Sequence, residues 1–213
     1  ALLEGSAHHK ALELNNIQKK DKGFDMTHHQ LTDKFVEDFR VKVGAENNVD
    51  WQGETENTII NRAGILHERY IHYLAPTIIP VEVERKFEIP LDKIGVTLSG
   101  ICDLEQEKNI LDYKTTSKSK GQNTVDNSLQ LSLYSFATRK RDVGIIELVK
   151  KSNPEVGILM SSRTPKQISW AIDVVKSVAS SIKAGAFPLA SPDSWICNPK
   201  WCGYWSMCRG KYE

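Results

Sequence analysis

Residues 100–115 read GICDLEQEKNILDYKT, and this stretch decides how the chain folds. Two alternating segments flank a polar turn, which predicts a β-hairpin with strands over 96–104 and 110–115. If the turn centres on its Glu-Lys pair, antiparallel pairing places Asp103 opposite Asp112, with Cβ atoms roughly 4.5–5.5 Å apart. A slip of one residue would turn Asp103 to the other face of the sheet.

The hairpin also carries a lysine next to its two acids. Side chains repeat every two residues along a strand, so Asp112 and Lys114 share one face and Tyr113 points away. Two carboxylates this close repel each other unless a divalent metal or another cation neutralises them. The hairpin therefore indicates a metal site with its own lysine. The alternative is an ordinary D-x-K strand on a solvated sheet face.

The composition describes a globular chain and leaves its partner open. The 213 residues are 40% hydrophobic and 26% charged, enough for one sizeable core. Lys and Arg number 28 against 27 Asp and Glu, a net charge of +1 that neither indicates nor excludes nucleic-acid binding. No apolar run approaches the ~20 residues of a membrane span, and no signal segment opens the chain. We therefore expect no membrane association and a cytosolic location.

Three helices are predicted before the hairpin. The first covers about residues 5–20 and ends near a glycine C-cap. The second begins at a capping box formed by Thr27 and Gln30, and an apolar stripe marks its buried face. The third begins near residue 58 and stops before Pro76.

The histidines of these helices divide into two groups. His9 and Glu13 are four residues apart and share a helix face, a pattern that is also common on exposed surfaces. His8 points elsewhere and is expected to face solvent. His67 and His72 are expected to decorate the third helix, because neither has an acidic or cysteine partner at ligand spacing.

The rest of the chain alternates strands and helices around the hairpin. Residues 115–122 form a polar, basic loop, suited to phosphate contacts or simply to solvation. Gln130 and Tyr134 are four apart and share a helix face. The predicted elements are a strand over 79–89, a helix over 127–140, strands over 145–149 and 156–160, and a helix over 164–185. This order predicts one α/β (α+β) domain with a central mixed β-sheet flanked by helices.

Four motifs occur in a fixed order along the chain: Gly5-x3-His9-x3-Glu13, Gly100-Ile101-Cys102-Asp103, Asp112-Tyr113-Lys114-Thr115 and Gln130-x3-Tyr134. Together they resemble the motifs of the PD-(D/E)XK nuclease superfamily, with the RecB-type nuclease domains and related phage exonucleases as the nearest branch. The resemblance covers about residues 5–208 and implies a restriction-endonuclease-like core. Cys102 stands where the superfamily pattern has proline, and Asp112 where glutamate is common.

The resemblance implies a role for each matched residue. Lys114 would orient or activate the attacking water and stabilise charge on the phosphate. Glu13 would lie near the metal or its waters, while Gln130 and Tyr134 would line the active-site groove and position the substrate. The implied ligands of one or two Mg²⁺ or Mn²⁺ ions are His9, Asp103, Asp112 and the main-chain carbonyl of Tyr113. Hard oxygen donors suit these cations.

The end of the chain is rich in cysteine and aromatic residues. We expect a nuclease domain over 1–190 and a tail over 191–213 packed on the same domain. Cys197-x4-Cys202-x5-Cys208 resembles a cysteine triplet that holds a [4Fe–4S] cluster in some relatives. The cluster would need a fourth cysteine, which in those relatives lies before the Gly-x3-His helix, and Cys102 is expected to face the core instead. Zinc and no ligand at all are the alternatives. The tail aromatics would stack bases or staple the tail: Trp195, Trp201, Tyr204 and Trp205.

The resemblance implies a metal-dependent DNA exonuclease that acts on single-stranded ends in recombination or repair. Its setting would be the cytoplasm of a bacterial or phage-infected cell, with an annealing protein or a helicase as a possible partner. One alternative is a catalytically silent nucleic-acid-binding module of the same fold, although the intact set of His9, Asp103, Asp112 and Lys114 argues against it. Another hydrolase class, such as a peptidase, lacks an H-E-x-x-H or G-x-S-x-G motif.

Overall fold

A computed structural model of the protein describes residues 2–51, 53–187, 189–191, 193–194, 196–199 and 202–211. The chain divides into two compact units, Ala1–Ile172 and Asp173–Glu213. The first unit contains the whole sheet and every residue of the hairpin site. Among the described residues, no helix has both the length and the apolar character that crossing a membrane requires.

Five strands form a single mixed sheet in the order β1-β2-β3-β4-β5. The strands are β1 Glu82–Leu91, β2 Val96–Glu105, β3 Asn109–Thr116, β4 Asp142–Val149 and β5 Glu155–Ser162. Neighbouring strands are antiparallel except β3 and β4, which run parallel and are joined by a helical crossover. The predicted fold class, a mixed sheet flanked by helices, is confirmed.

The described part of the chain contains six α-helices: α1 Leu2–Lys22, α2 His28–Ala45, α3 Glu56–Arg69, α4 Gln122–Asp126, α5 Leu129–Thr138 and α6 Pro165–Lys183. Short turns of other helical types follow α3, at Tyr70–Leu74 (π) and Ala75–Thr77 (3₁₀). Further 3₁₀ turns lie at Asp92–Ile94, Trp205–Met207 and Arg209–Lys211.

Local sequence signals set most helix ends. Gly23 ends α1 with a left-handed φ of 84°, a conformation that glycine adopts without steric cost. The predicted capping box begins α2, because Gln30 N donates to Thr27 Oγ1 (3.2 Å) and Thr27 N donates to Gln30 Oε1 (3.0 Å). Thr164 and Gln167 form the same box in front of α6, at 3.2 and 2.9 Å.

The predicted helix over 127–140 is wrong in its first part. Ser128 adopts an extended conformation and caps α5 by accepting a hydrogen bond from Leu131 N (3.3 Å). The chain before this cap forms the separate helix α4, whose 5 residues are too few to show a helical periodicity. α5 therefore begins at Leu129 and presents Gln130 in its first turn.

The hydrophobic core consists of two clusters, to which β3 contributes alternate residues. Leu111 and Tyr113 belong to the larger cluster, which α1, α2 and α3 build. Ile110 belongs to the smaller cluster, with Leu131 and Tyr134 of α5. By strand alternation, Asp112 shares the face of Ile110, so it projects toward α5.

The expectations for His8 and His67 are wrong, because both side chains are completely buried. His8 Nδ1 lies 3.1 Å from His67 Nε2, and His67 Nδ1 lies 3.0 Å from Thr32 Oγ1. The His8 ring also packs against Phe35, with centroids 4.4 Å apart. The two imidazoles are partners across the α1–α3 interface, a pairing that the spacing within one helix cannot reveal.

Candidate active site

The hairpin has the predicted register where its strands pair, because Leu104 pairs with Leu111 and Glu105 with Ile110. Regular pairing ends there, and Asp103 lies just beyond it, close enough to Asp112 for the two charges to repel. The turn closes through Gln106 N and Asn109 O (2.9 Å), as expected for a turn centred on the Glu-Lys pair. Asp103 Oδ2 then accepts the backbone N–H of Tyr113 (2.8 Å), which fixes this carboxylate against β3.

Asp112 is the most buried acid of the site, with 1% of its surface exposed. Its Oδ1 accepts a hydrogen bond from Gln130 Nε2 (2.9 Å), and its Oδ2 forms an ion pair with Lys114 Nζ (2.7 Å). Burial, reinforced by repulsion from Asp103, raises the pKa of Asp112 to about 6, although Lys114 opposes the shift. The site thus holds a carboxylate that one lysine does not fully compensate.

α5 brings its glutamine and tyrosine to this carboxylate. Gln130 Oε1 accepts from Lys114 Nζ (3.1 Å), while Gln130 Nε2 donates to Asp112 and to Tyr134 Oη (2.8 Å). These partners fix the orientation of the amide, because only its oxygen can accept from an ammonium group. Gln130 therefore connects the acid, the lysine and the tyrosine of the predicted motifs.

α1 supplies the histidine and the glutamate on the other side of the hairpin. His9 Nδ1 lies 3.5 Å from Asp103 Oδ2, and the His9 ring meets the Tyr113 ring edge-on at 5.9 Å between centroids. Glu13 Oε1 accepts a hydrogen bond from Lys10 Nζ at 2.8 Å. The structure thus brings all the hairpin-motif side chains and His9 into one neighbourhood.

Glu84 of β1 belongs to the same neighbourhood and was missed in the sequence. Its φ of 51° lies in the left-handed region, which is uncommon for a residue other than glycine. Burial and the negative charges of Asp103 and Glu13 raise its pKa to about 7. A signal was present, because Arg85 is the one charged residue at an apolar position of the alternation over 81–89.

β1 and β2 both change face at the site. Val83 packs on the larger core cluster and Phe87 on the smaller one, although a regular strand would turn both to the same side. On β2, Leu104 pairs with Val83 and belongs to the larger cluster, whereas Cys102 pairs with Arg85 and belongs to the smaller one. The change therefore falls at Glu84 and Asp103, which explains why both carboxylates meet at one point.

Cys102 is completely buried, in agreement with the expectation that it faces the core. Burial raises the pKa of its thiol to about 12. A buried thiol of this kind is unreactive toward solvent at neutral pH.

Comparison with known proteins decides the family. A sequence profile of the PD-(D/E)XK nuclease superfamily matches residues 2–209. The chain belongs to the PD-(D/E)XK nuclease superfamily. Members of this superfamily are hydrolytic nucleases, so the fold implies a nucleic-acid substrate. Enzymes of the superfamily generally use Mg²⁺ or Mn²⁺.

A solved structure shares the fold of this PD-(D/E)XK protein at low sequence identity. A candidate exonuclease from Eubacterium rectale superimposes with a TM-score of 0.51 at 13% identity, over 84% of this chain and 69% of that one. The protein SSO0001 is 12% identical over 95% of this chain and 82% of its own, with a TM-score of 0.41. No curated protein sequence matches the chain.

The donor set of this PD-(D/E)XK site fits a hard divalent cation. Asp103, Asp112 and Glu84 concentrate negative charge, and Asp112 Oδ2 is buried with no hydrogen bond besides its ion pair with Lys114. Within the described part of the chain, no three imidazole, thiol or carboxyl groups converge closely enough to coordinate an ion. Lys114 Nζ instead supplies positive charge to Asp112, so coordination would require these side chains to rotate.

An open groove of about 450 Å³ adjoins the site. His9, Lys114 and Tyr113 form one end of the groove, and Leu2, Gly5, Ser6 and Thr115 complete its lining. A wider cleft of about 580 Å³ beside the π turn contains none of the predicted site residues. The small side chains of the first groove leave room for a substrate next to the lysine.

The cysteines of the tail lie in the second unit. Cys197, Cys202 and Cys208 are free thiols of intermediate exposure. Arg209 lies over the ring of Trp205, 5.7 Å from its centroid. Trp195 and Trp201 lie outside the described residues. The cluster, the zinc site and base stacking by this tail stay predictions, as does the division into 1–190 and 191–213.

Proposed function

We propose that the protein is a metal-dependent DNA exonuclease that hydrolyses phosphodiester bonds from single-stranded ends. The observation that carries the proposal is the contact network of Asp112, Lys114 and Gln130 beside Asp103. Two facing carboxylates and a lysine are the groups that phosphodiester hydrolysis with a divalent ion requires. The superfamily membership supports the same chemistry.

Asp103, Asp112 and His9 would hold the cation, together with the main-chain carbonyl of Tyr113. When bound, a Mg²⁺ or Mn²⁺ ion lowers the pKa of a coordinated water and offsets charge on the phosphate. Glu84 and Glu13 would bind water around the ion and add negative charge to the site, because both lie close enough to interact electrostatically.

The remaining residues would act on the substrate. Lys114, once released from Asp112, would donate hydrogen bonds to the attacking water and to the scissile phosphate. Gln130 would keep the ammonium group in place through its Oε1, and Tyr134 would hold the Gln130 amide. This arrangement makes Lys114 the residue on which charge stabilisation depends most directly.

The groove beside the hairpin is the feature that favours digestion from a strand end. The groove beside His9 and Lys114 is open to solvent, so a strand end could enter it. The similar Eubacterium rectale structure is described as a candidate exonuclease. A role in recombination or repair, a cytoplasmic location in a bacterial or phage-infected cell, and a partner such as an annealing protein or helicase rest on the motif resemblance.

A catalytically silent binding module is the second candidate. The observation in its favour is the ion pair between Lys114 and Asp112, which engages the lysine with a proposed metal ligand. Such a protein would bind DNA without cleaving it.

Cleavage of end-labelled DNA separates these candidates. Wild type, Lys114→Ala and Asp112→Ala are incubated with Mg²⁺ or Mn²⁺ and with linear single-stranded, linear duplex or circular single-stranded DNA. Lys108→Ala, which removes an exposed lysine from the β2–β3 turn, is the matched control. We expect digestion of linear single strands by wild type and control, and none by the other two variants. Cutting of the circle would show an endonuclease, and equal inactivity of all four proteins with retained binding would favour the silent module.

A further inference from the structure

The basic loop over 117–121, between β3 and α4, is attached to the sheet by a buried acid. Glu147 lies on β4 with 4% of its surface exposed. Its carboxylate accepts hydrogen bonds from Ser119 Oγ and from the backbone N–H of Lys120, the second at 2.8 Å. The loop is therefore tied down at its middle, by both a side chain and the main chain.

The attachment point lies next to the proposed catalytic lysine. In the parallel pairing of β3 with β4, Lys114 is the register partner of Glu147. Register partners on adjacent strands project from the same face, and the strands are about 4.8 Å apart. The loop thus returns over the α5 face of the sheet beside Lys114, after leaving β3 at Thr116.

Glu147 is an unusual choice for a purely structural anchor. Among the described residues it forms no ion pair, so the cost of burying its charge is offset by its hydrogen-bond donors and by the positive charge of Lys114 on the paired strand. The loop also begins from a fixed point, because Thr116 O accepts from Lys150 N (2.8 Å). The result is a loop whose backbone is held in place while its side chains stay in solvent.

Two of these side chains are cations without a described counter-charge. Lys118 and Lys120 are exposed, and neither forms an ion pair with any residue in the described ranges. They flank Ser119, whose hydroxyl is bound to Glu147. The two lysines therefore present positive charge beside Lys114, where a polyanion bound at Lys114 would pass.

We propose that the loop over 117–121 binds the nucleic-acid backbone next to the scissile phosphate. Lys118 and Lys120 contact phosphates, and Glu147 is a positioning residue that holds the loop through Ser119 and Lys120. The inference rests on the proposed nuclease function for the identity of the polyanion. Phosphate contacts of this kind supply affinity and register along the strand rather than base specificity.

Salt dependence of binding tests the two lysines. Binding of a fluorescent single-stranded DNA oligonucleotide is titrated in EDTA, where no cleavage occurs, at several salt concentrations. For Lys118→Ala and Lys120→Ala, we expect the slope of log K against log salt to fall by about 0.7 each, the contribution of one phosphate contact on a single strand. Lys108→Ala, the control, keeps the wild-type slope. Unchanged slopes in both loop variants, or no binding by wild type, would overturn the proposal.

A second pair of variants tests the anchor without removing positive charge. Glu147→Gln retains the shape of the side chain but replaces one acceptor oxygen with a donor. Ser119→Ala removes the hydroxyl that donates to Glu147. We expect both to bind the oligonucleotide severalfold more weakly and to be cut faster by trypsin after Lys118 and Lys120, with an unchanged melting temperature. Wild-type affinity and wild-type trypsin resistance in both variants would remove Glu147 from the proposal.

These measurements are independent of catalysis, so the two proposals fail separately. Loop variants that bind like wild type, alongside loss of cleavage in Lys114→Ala, would overturn the loop and leave the nuclease intact. Reduced slopes in a protein that cleaves nothing would support the loop and overturn the exonuclease. The same titration with an RNA oligonucleotide of equal length shows whether the loop binds DNA or RNA, and we expect tighter binding of DNA.

Discussion

The buried polar groups on the two faces of β3 differ in their charge. Tyr113 faces α1, where its hydroxyl contacts Asn16 Nδ2 (2.5 Å) and Tyr70 Oη (3.4 Å), and the nearby imidazoles are paired with each other. Asp112, the next residue, faces α5 with its charge partly uncompensated. On the α1 side, the buried imidazoles and phenols are neutral and contact one another, whereas the α5 side holds charges that a further cation would stabilise.

The difference appears in the direction of the pKa shifts. Burial lowers the pKa of His67 to about 3, so the folded protein excludes a proton that the unfolded chain binds below about pH 6.5. Burial raises the pKa of Asp112 to about 6, so the folded protein binds a proton that the unfolded chain releases above about pH 4. His67 therefore makes the protein less stable as pH falls, and Asp112 makes it less stable as pH rises.

The largest expected effect is the pH dependence of stability caused by the buried His67. Below pH 6.5, each pH unit of His67 titration lowers the free energy of unfolding by about 1.4 kcal/mol, down to the folded pKa of about 3. We expect the stability difference between wild type and His67→Gln to shift by about 3 kcal/mol in favour of the variant between pH 6.5 and 4. Urea unfolding at each pH measures it. His72→Gln, at an exposed position, should show no such trend.

The next effect comes from removing the buried charge of Asp112. Without metal at pH 8, Asp112→Asn should be more stable than wild type by roughly 3 kcal/mol, and the gain should shrink as pH falls from 6 to 4. Divalent ion at about 100 times its Kd should stabilise wild type by about 2.7 kcal/mol and the variant not at all. Asp173→Asn, at an exposed ion pair, is the control. A destabilised Asp112→Asn would contradict this account of the site.

A third prediction concerns a second buried charge near α5. Arg163 is 1% exposed and donates to Ser132 Oγ (2.9 Å), Val125 O (2.6 Å) and Ser128 O (3.3 Å). Arg163→Met would remove these three hydrogen bonds at a cost of about 1–3 kcal/mol in unfolding free energy, although Val125 O and Ser128 O keep their backbone donors. Because Ser128 caps the helix that carries Gln130, cleavage should also slow. The exposed Arg141→Met is the control, and equal melting temperatures would exclude the role.

The smallest effect sharpens the comparison at Glu84. Glu84→Gln should weaken Mn²⁺ binding roughly tenfold, the usual cost of losing a group that supports metal ligands. Calorimetric titration of Mn²⁺ into the metal-free protein measures the change. Glu82→Gln removes a half-exposed carboxylate of the same strand and should leave the affinity intact. Equal affinities for the two variants would place Glu84 outside the metal site.

Short-range patterns predicted much of the fold and the centre of the site. The alternation and the polar turn were enough to predict the register of β2 and β3 at their turn, and Thr27, Gln30 and Gly23 marked helix ends through local hydrogen bonds and backbone conformation. These features depend on neighbours within a few residues, which is why spacing alone describes them.

The failures depend on contacts between distant segments. His8 and His67 are 59 residues apart in sequence, and only the packing of α1 against α3 decides that they are buried together. Glu84 joins the acids because its strand changes face, which a period of two cannot represent. Ser128 interrupts a helix pattern because its hydroxyl caps the following turn.

The face change at Glu84 and Asp103 also constrains how this chain can vary in length. Beyond these two residues, β1 and β2 pair without interruption from Arg85 and Cys102 to Leu91 and Val96. The ring of Phe87 covers Gly100, where a side chain would collide with it. An insertion in one strand alone would shift every outer residue to the wrong side. During evolution, additions and deletions should therefore accumulate in the β1–β2 connection around Gly95, while the strands keep their register at Glu84 and Asp103.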